Sequence, residues 1–371
     1  MRIPVCEPKL GEKELEYVID CIKTNWISSK GKYINEFEEK FSKYCKAKYG
    51  IATTSGTTAL HLALAAAGIK SGDEVIIPTF TMIATANSVT YTGARFKLVD
   101  SETEYWNMDV NKIEEKINEK TKAIMVMHTY GHPVDMDPIL KIAEDNGLFV
   151  IEDAAEAHGA EYKGRKVGAL GQLGAFSFYA NKVITTGEGG MVVTNDEELA
   201  EKARMLRDQA FEKGKRFWHK HLGFNYRMTN LQAAIGVAQF EHIDEFVEIR
   251  RRNAKYYNSL LSEVEGITTP KEAKWAKNVY WMYTILTEDN FGMSRDDLML
   301  YLEKGGIETR TTFYPVHIQP LYAEQFKGEA FPVADELGRK GLYLPSGNTL
   351  TKEQIDIVVK SIISAKESVK K

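Results

Sequence analysis

Residues 174–193 read GAFSFYANKVITTGEGGMVV, and how they are parsed decides the fold. GAFSFY and GGMVVT are apolar runs of strand length, and between them stand Lys182 and a glycine-rich turn. Lysine is seldom taken out of water without a partner. Here its long cationic side chain either snorkels out to solvent or carries chemistry. What the neighbouring strands bring to it decides between the two.

Working outward, YGIATT (49–54), EVIIP (74–78), RFKLVD (95–100), KAIMVM (122–127) and LFVIED (148–153) are short, largely unalternating apolar runs. Helical stretches such as TTALHLALAAAG (57–68) and MDPILKIAEDNG (136–147) separate them. That alternation predicts parallel strands joined by crossover helices, an α/β fold. Further helices are predicted over Glu12 to Lys23, Asn35 to Cys45 and Asp196 to Arg207, with WISSKGKYI (26–34) as a loop. From about Ala233 the texture changes. One long charged helix (238–264) leads to strand YWMYTILTE (280–288), helix SRDDLMLYLEKGG (294–306), strand ETRTTFY (308–314) and a closing helix (351–369). The expectation is a large α/β domain over 1–232 and a small α+β domain over 233–371.

The chain has 371 residues, 43% of them apolar, enough for a sizeable core. A net charge of −4 exerts no global pull toward nucleic acid or anionic membrane, so small discrete ligands are expected. Cys6, Cys21 and Cys45 have neither zinc-site spacing nor an even disulfide framework, which points to reduced thiols in the cytoplasm. No apolar run has the length of a bilayer span, and no secretory signal is expected in the charged start.

Three pieces carry chemistry. In TTSGTTALHLAL (53–64) a strand ends in small polar residues that open a helix, leaving N–H groups free to hold an anion and Gly56 to let it approach. The plainer reading is an N-cap. In LFVIEDAAEAHGA (148–160) a strand ends in Glu152 and Asp153, where open α/β sheets bind ligands. An acid there can hold a protonated ring nitrogen, or simply cap the next turn; His158 is near enough to orient a carboxylate, although a lone histidine is more often a packing residue. Metal binding is not expected, since no ligand spacing recurs. Lys182 is the third piece. Phosphate cradle, acid and semi-buried lysine, in that chain order, are the parts that hold pyridoxal phosphate: lysine forms an imine with the aldehyde, and the carboxylate keeps the pyridine nitrogen protonated.

With these residues in view, the sequence resembles the pyridoxal phosphate-dependent sugar aminotransferases of the DegT/DnrJ/EryC1/StrS family, of the aspartate aminotransferase fold type I. Blocks such as SGTTALHLAL, PTFTMIATANSVTYTGA, YGHPVDMDPI, VIEDAAEAHGA, FSFYANKVITTGEGGMVVT and GFNYRMTNLQAAIG carry the resemblance over essentially the whole chain. It implies that Lys182 is the catalytic lysine, that Asp153 pairs with the pyridine nitrogen and that Glu156 lies near the cofactor's phenolic oxygen. Gly56, Thr57 and Ser177 match phosphate contacts. Asn225 matches a residue that reaches the neighbouring subunit's cofactor, which implies a homodimer with shared sites. Met82 stands where many relatives stack an aromatic ring on the pyridine; a thioether can also cover that face. Trp281, Tyr314 and His317 match sugar-facing positions, or are core packing.

The implied reaction moves the amino group of L-glutamate to a nucleotide-linked keto sugar, GDP-4-keto-6-deoxy-D-mannose being the expected acceptor, by ping-pong kinetics. Residues 202–220 and Arg250 to Arg252 offer cations for the sugar nucleotide's diphosphate, or form a solvated surface. Alternatives are a transaminase for another 3-keto or 4-keto sugar nucleotide and a cofactor-binding regulator. A related dehydratase would carry histidine in place of Lys182, an iron–sulfur dehydratase would need a cysteine cluster, and a dinucleotide-binding dehydrogenase would need a GxGxxG turn after its first strand.

Overall fold

The computed structural model describes residues 2–369, the side chain of Arg216 excepted. Each apolar run between residues 49 and 153 becomes a strand of one sheet: β1 Tyr49–Thr53, β2 Glu74–Pro78, β3 Arg95–Val99, β4 Thr121–Met127 and β5 Phe149–Asp153. The runs flanking Lys182 add β6 Leu173–Ser177 and β7 Gly190–Thr194. The seven-stranded order is β1-β7-β6-β5-β4-β2-β3. Pairing is parallel from β3 across to β6, whereas β7 is antiparallel to both of its neighbours. No helix lies between β6 and β7, so the chain turns back at once instead of crossing over, and Lys182 rides on that turn. Both faces of the sheet are covered, which is why its strands are apolar throughout rather than alternating.

Helices α1 Glu12–Lys23, α2 Lys32–Tyr44, α3 Gly56–Ala67, α4 Ile83–Tyr91, α5 Met136–Asn146 and α6 Glu197–Arg207 surround the sheet. Helix α2 starts ahead of the expected Asn35. Asn230 Oδ1 accepts the Tyr33 N–H at 3.1 Å, a cap delivered from a distant element. Gly31, at φ 152°, passes so close to Asn230 that a Cβ would lie 2.3 Å from its side chain.

The long charged helix expected over 238–264 is two helices, α7 Asn230–Phe240 and α8 Ile243–Leu261. Helix α7 is drawn in against α1 and α2, and Glu241 at the break is tied to Lys13 and Tyr17 of α1. The expected boundary at 232/233 falls inside α7. Of the two hydrophobic clusters, the larger includes Ala233, Val237 and Phe246, while the smaller takes residues of α8 from Ala254 onward. The smaller cluster also takes Ile3, bridged to Ile307, from the N-terminal end.

A second sheet comprises β8 Ile267–Thr268, β9 Tyr283–Thr287, β10 Arg310–Thr311 and β11 Gly341–Leu344, in the order β8-β9-β11-β10 with antiparallel pairs. Helices α9 Arg295–Lys304, α10 Pro332–Lys340 and α11 Lys352–Val369 accompany it. The strand GLYL of β11 was not expected, and it separates the two strands that were. Among the described residues no helix is long and apolar enough to cross a membrane.

Candidate active site

Lys182 is largely withdrawn from solvent. Its side chain is 10% exposed, with Nζ 3.7 Å from Glu156 Oε1 and 3.7 Å from the centroid of the Trp281 ring. Burial lowers its pKa, against the pull of Glu156 and Asp153, so the neutral amine is favoured more than in water. A buried nucleophilic amine replaces the snorkelling alternative.

Strand alternation sends the two acids at the end of β5 in opposite directions. Glu152 accepts the N–H groups of Gly168, Leu170 and Gly171 at 2.6, 2.7 and 2.8 Å. His128 Nε2 lies 3.0 Å from the same carboxylate, and because His128 Nδ1 accepts the Val134 N–H, Nε2 carries the hydrogen that it donates. Glu152 therefore anchors the loop before β6. Asp153 faces the other way: it accepts the Thr85 hydroxyl at 2.8 Å and the Ala155 N–H at 3.2 Å. It has no ion pair among the described residues, and burial raises its pKa. A protonated ring nitrogen is the counter-charge this carboxyl lacks.

Helix α3 starts beside it. Ser55 Oγ accepts the Thr58 N–H at 3.2 Å and Thr58 Oγ1 accepts the Ser55 N–H at 3.0 Å, so the N-cap reading holds. The cap leaves the N–H groups of Gly56 and Thr57 without a partner among the described residues, so they are available to an anion. Gly56 packs on Ser177 at the end of β6, where an added Cβ would lie 2.6 Å from Ser177 Cβ and 3.1 Å from its Oγ. The residues fit a phosphate-bearing, ring-nitrogen cofactor: N–H donors and a hydroxyl at one end, an unpaired carboxyl and a lysine at the other. Gly56→Ala should push α3 off β6 at an overpacking cost of about 1–3 kcal/mol. Cofactor affinity should fall about tenfold to a hundredfold by equilibrium titration, with the fold retained.

Glu156 is buried beneath the lysine, its Oε2 accepting the Tyr130 N–H at 2.9 Å. Burial pushes its carboxyl up to about 8 despite the opposing pull of Lys182. In the cofactor-free protein the folded state thus keeps a proton that the unfolded chain releases near 4.5, so this stability is complete at low pH and is lost as pH rises toward about 8. The melting temperature of the cofactor-free protein should decline across that window, and Glu156→Gln should flatten the decline.

Several participants escaped sequence reasoning. Tyr130, at φ 51°, stacks its ring on Phe313 and Trp281, with Tyr343 at 5.9 Å, forming an aromatic wall beside Glu156. Thr85 on α4 reaches Asp153. The only signal was that Tyr130 and Thr85 lie in two of the blocks that carry the resemblance; Tyr343 had none.

Other expected residues fall as follows. Trp281 is buried and covers Lys182, and Met82 stands at the N-cap position of α4 without a side-chain cap bond, 46% exposed. Tyr314 is 52% exposed. His317 is engaged on both ring nitrogens, with Thr79 Oγ1 at 2.7 Å and Asp335 Oδ1 at 2.9 Å. Asn225 is exposed, its Oδ1 accepting from Arg227, and it is not among the groups around Lys182 in its own chain. His158 orients no carboxylate: it is buried among Phe41, Phe176 and Phe178 with both nitrogens unpartnered, and burial lowers its pKa to about 3. The diphosphate reading fails at Arg250, which is buried, and at Arg251, which pairs with Glu272. Lys215 sits over Trp218 in the hairpin Phe211–Glu212 to Lys215–His219, and the Arg216 side chain lies outside the described residues.

Comparison with known proteins agrees with this geometry. The model of the DegT/DnrJ/EryC1/StrS aminotransferase family matches residues 8–363. GDP-perosamine synthase of Caulobacter vibrioides is 48% identical over 362 residues, 97% of each chain. Its counterpart in Escherichia coli O157:H7 is 47% identical over 360 residues, again 97% of each. The solved structure of DesV from S. venezuelae has a TM-score of 0.93 at 35% identity and covers 99% of each chain. The large, mostly parallel sheet is consistent with fold type I. With the family match spanning nearly its whole length, the chain belongs to the DegT/DnrJ/EryC1/StrS aminotransferase family.

Proposed function

We propose that this chain is a pyridoxal phosphate-dependent sugar-nucleotide aminotransferase that takes nitrogen from L-glutamate and delivers it to the keto carbon of GDP-4-keto-6-deoxy-D-mannose, giving GDP-perosamine. The observation that carries the reading is the buried Lys182 amine beside the Glu156 carboxyl, with Asp153 also acting on its charge. The two GDP-perosamine synthases at 47–48% identity support the choice of sugar nucleotide.

When bound, pyridoxal phosphate supplies an aldehyde for amines and a protonated ring that draws electrons from the carbon losing its proton. The chain's own groups do the rest. The Gly56 and Thr57 N–H groups and the Ser177 hydroxyl would hold the cofactor's phosphate, and Asp153 would keep its ring nitrogen charged. Lys182 Nζ, its pKa lowered by burial, would take the proton from the amino-bearing carbon of glutamate and, in the second half of the reaction, deliver one to the sugar carbon that gains the nitrogen. Glu156 holds a proton next to Nζ, and the wall of Trp281 and Tyr130 excludes water. In the proposed homodimer Asn225 serves the neighbouring site; its exposure in the single chain supports this. Three free thiols support a cytoplasmic setting.

Incubation with glutamate and a panel of GDP-, dTDP- and UDP-linked 3-keto and 4-keto sugars tests the reading. The expected product is the GDP-linked 4-amino sugar, identified by mass and proton coupling, with equimolar 2-oxoglutarate. Amination of only a dTDP- or UDP-linked sugar would overturn the substrate; no amination of any would overturn the enzyme.

A further inference from the structure

The backbone on either side of Lys182 is held by the C-terminal part of the chain. The Asn181 carbonyl accepts Trp281 Nε1–H at 2.9 Å, and the Val183 carbonyl accepts Asn348 Nδ2–H at 3.2 Å. Both donors depend on one guanidinium. Arg250 Nε donates to Asn348 Oδ1 at 2.8 Å, and its Nη1 donates to the carbonyls of Trp281 and Ser346 at 2.5 and 3.0 Å. Cys6 closes the ring: Arg250 Nη2 lies 3.7 Å from its Sγ, and that Sγ lies 3.6 Å from the Asn181 carbonyl.

Arg250 is 2% exposed and has no carboxylate partner among the described residues. A buried cation without a counter-ion is costly. This one is instead satisfied by neutral oxygens from the segment at Trp281 and the segment at 346–348, and each of those segments extends a donor to the lysine turn. A residue that only glued α8 to the second sheet would have no need of acceptors that themselves grip residues 181 and 183.

We propose that Arg250, Asn348 and Trp281 form a clamp that fixes the backbone flanking Lys182 and so sets where Nζ stands, with Arg250 a positioning residue acting through the other two. This rests on the assignment of Lys182 above, and it gives the Arg250 cation a role at the site other than diphosphate binding. Two substitutions loosen the clamp without touching Arg250. Asn348→Asp keeps the acceptor for Arg250 Nε and removes the donor to Val183; Trp281→Phe keeps an aromatic face and removes the donor to Asn181.

The first readout is hydrogen exchange in the cofactor-free protein, where the amides of Lys182 and Thr186, bonded to the carbonyls of Tyr179 and Phe178, report opening of the turn. Exchange across 179–187 should rise about threefold to tenfold in each variant, the loss of one hydrogen bond, and further in the double variant, while β7 exchanges as before. In the holoenzyme the pH midpoint of the cofactor chromophore should shift, and kcat should fall with the KM for glutamate unchanged. Unchanged exchange at 179–187 in both variants, or a rise spread evenly over the protein with a drop in melting temperature, would overturn the clamp. Because exchange is read without cofactor, failure of the clamp is distinguishable from failure of the Lys182 assignment, which shows as a cofactor bound elsewhere.

Discussion

Lys182→Ala should abolish turnover, by about 10⁴-fold or more in kcat, while the protein folds and still binds pyridoxal phosphate. The size of the loss follows from removing the group that carries the proton, a contribution of about 10²–10⁴ by itself, together with the covalent capture it provides. Folding survives because the amine is not part of a close ion pair: its nearest carboxyl oxygen is 3.7 Å away, and burial already favours its neutral form. Cofactor binding survives because the cradle of Gly56, Thr57 and Ser177 is built by α3 and β6 without the lysine. Lys182→Arg should fail equally, since a guanidinium stays protonated and cannot replace the amine. Steady-state rates and equilibrium cofactor binding on both variants check this; a variant within tenfold of the parent would remove Lys182 from the chemistry.

Asp153→Asn and Glu152→Gln give opposite failures, although the two acids are adjacent in sequence. Asp153 faces away from the loop before β6, with Thr85 and Ala155 as its hydrogen-bond partners among the described residues. Its loss leaves the ring nitrogen without a counter-charge and should lower kcat about 10²–10³-fold, the scale of removing one electrostatic stabiliser, with little change in melting temperature. Glu152 faces that loop and holds three backbone N–H groups and His128. An amide in its place turns an NH₂ toward those donors, so stability should fall by about 3 kcal/mol, with the kcat of the folded protein largely kept. Thermal melts and kinetics on the pair check both; matching losses in kcat would contradict the division of labour.

What could be read from the sequence follows a physical rule. The strand ends at Thr53 and Asp153 were legible because unalternating apolar runs stop abruptly at small or charged residues, and ligands gather where they stop, whereas β6 ends at Ser177, two residues short of the expected run GAFSFY. The sidedness of Glu152 and Asp153 was not drawn out, because either acid could have capped the turn. The run Arg250 to Arg252 reads as a solvated face, and only the packing of α8 against the second sheet turns Arg250 inward. Glu241 and His242 carry no Pro or Gly to announce the helix break, which arises from the contacts of α7 with α1 and α2. Strand β11 is too short to be distinguished from a loop, yet it brings Tyr343 to the aromatic wall. Tyr130, Thr85 and Tyr343 come from separate elements, and no local pattern links them.

The central claim is that the cofactor is held covalently and reversibly at one position. Borohydride reduction of the holoenzyme, followed by peptide mapping, tests it most directly. The pyridoxyl group should be found on Lys182, within the peptide that spans residues 174–193. Attachment to another lysine, or no attachment at all, would contradict the account.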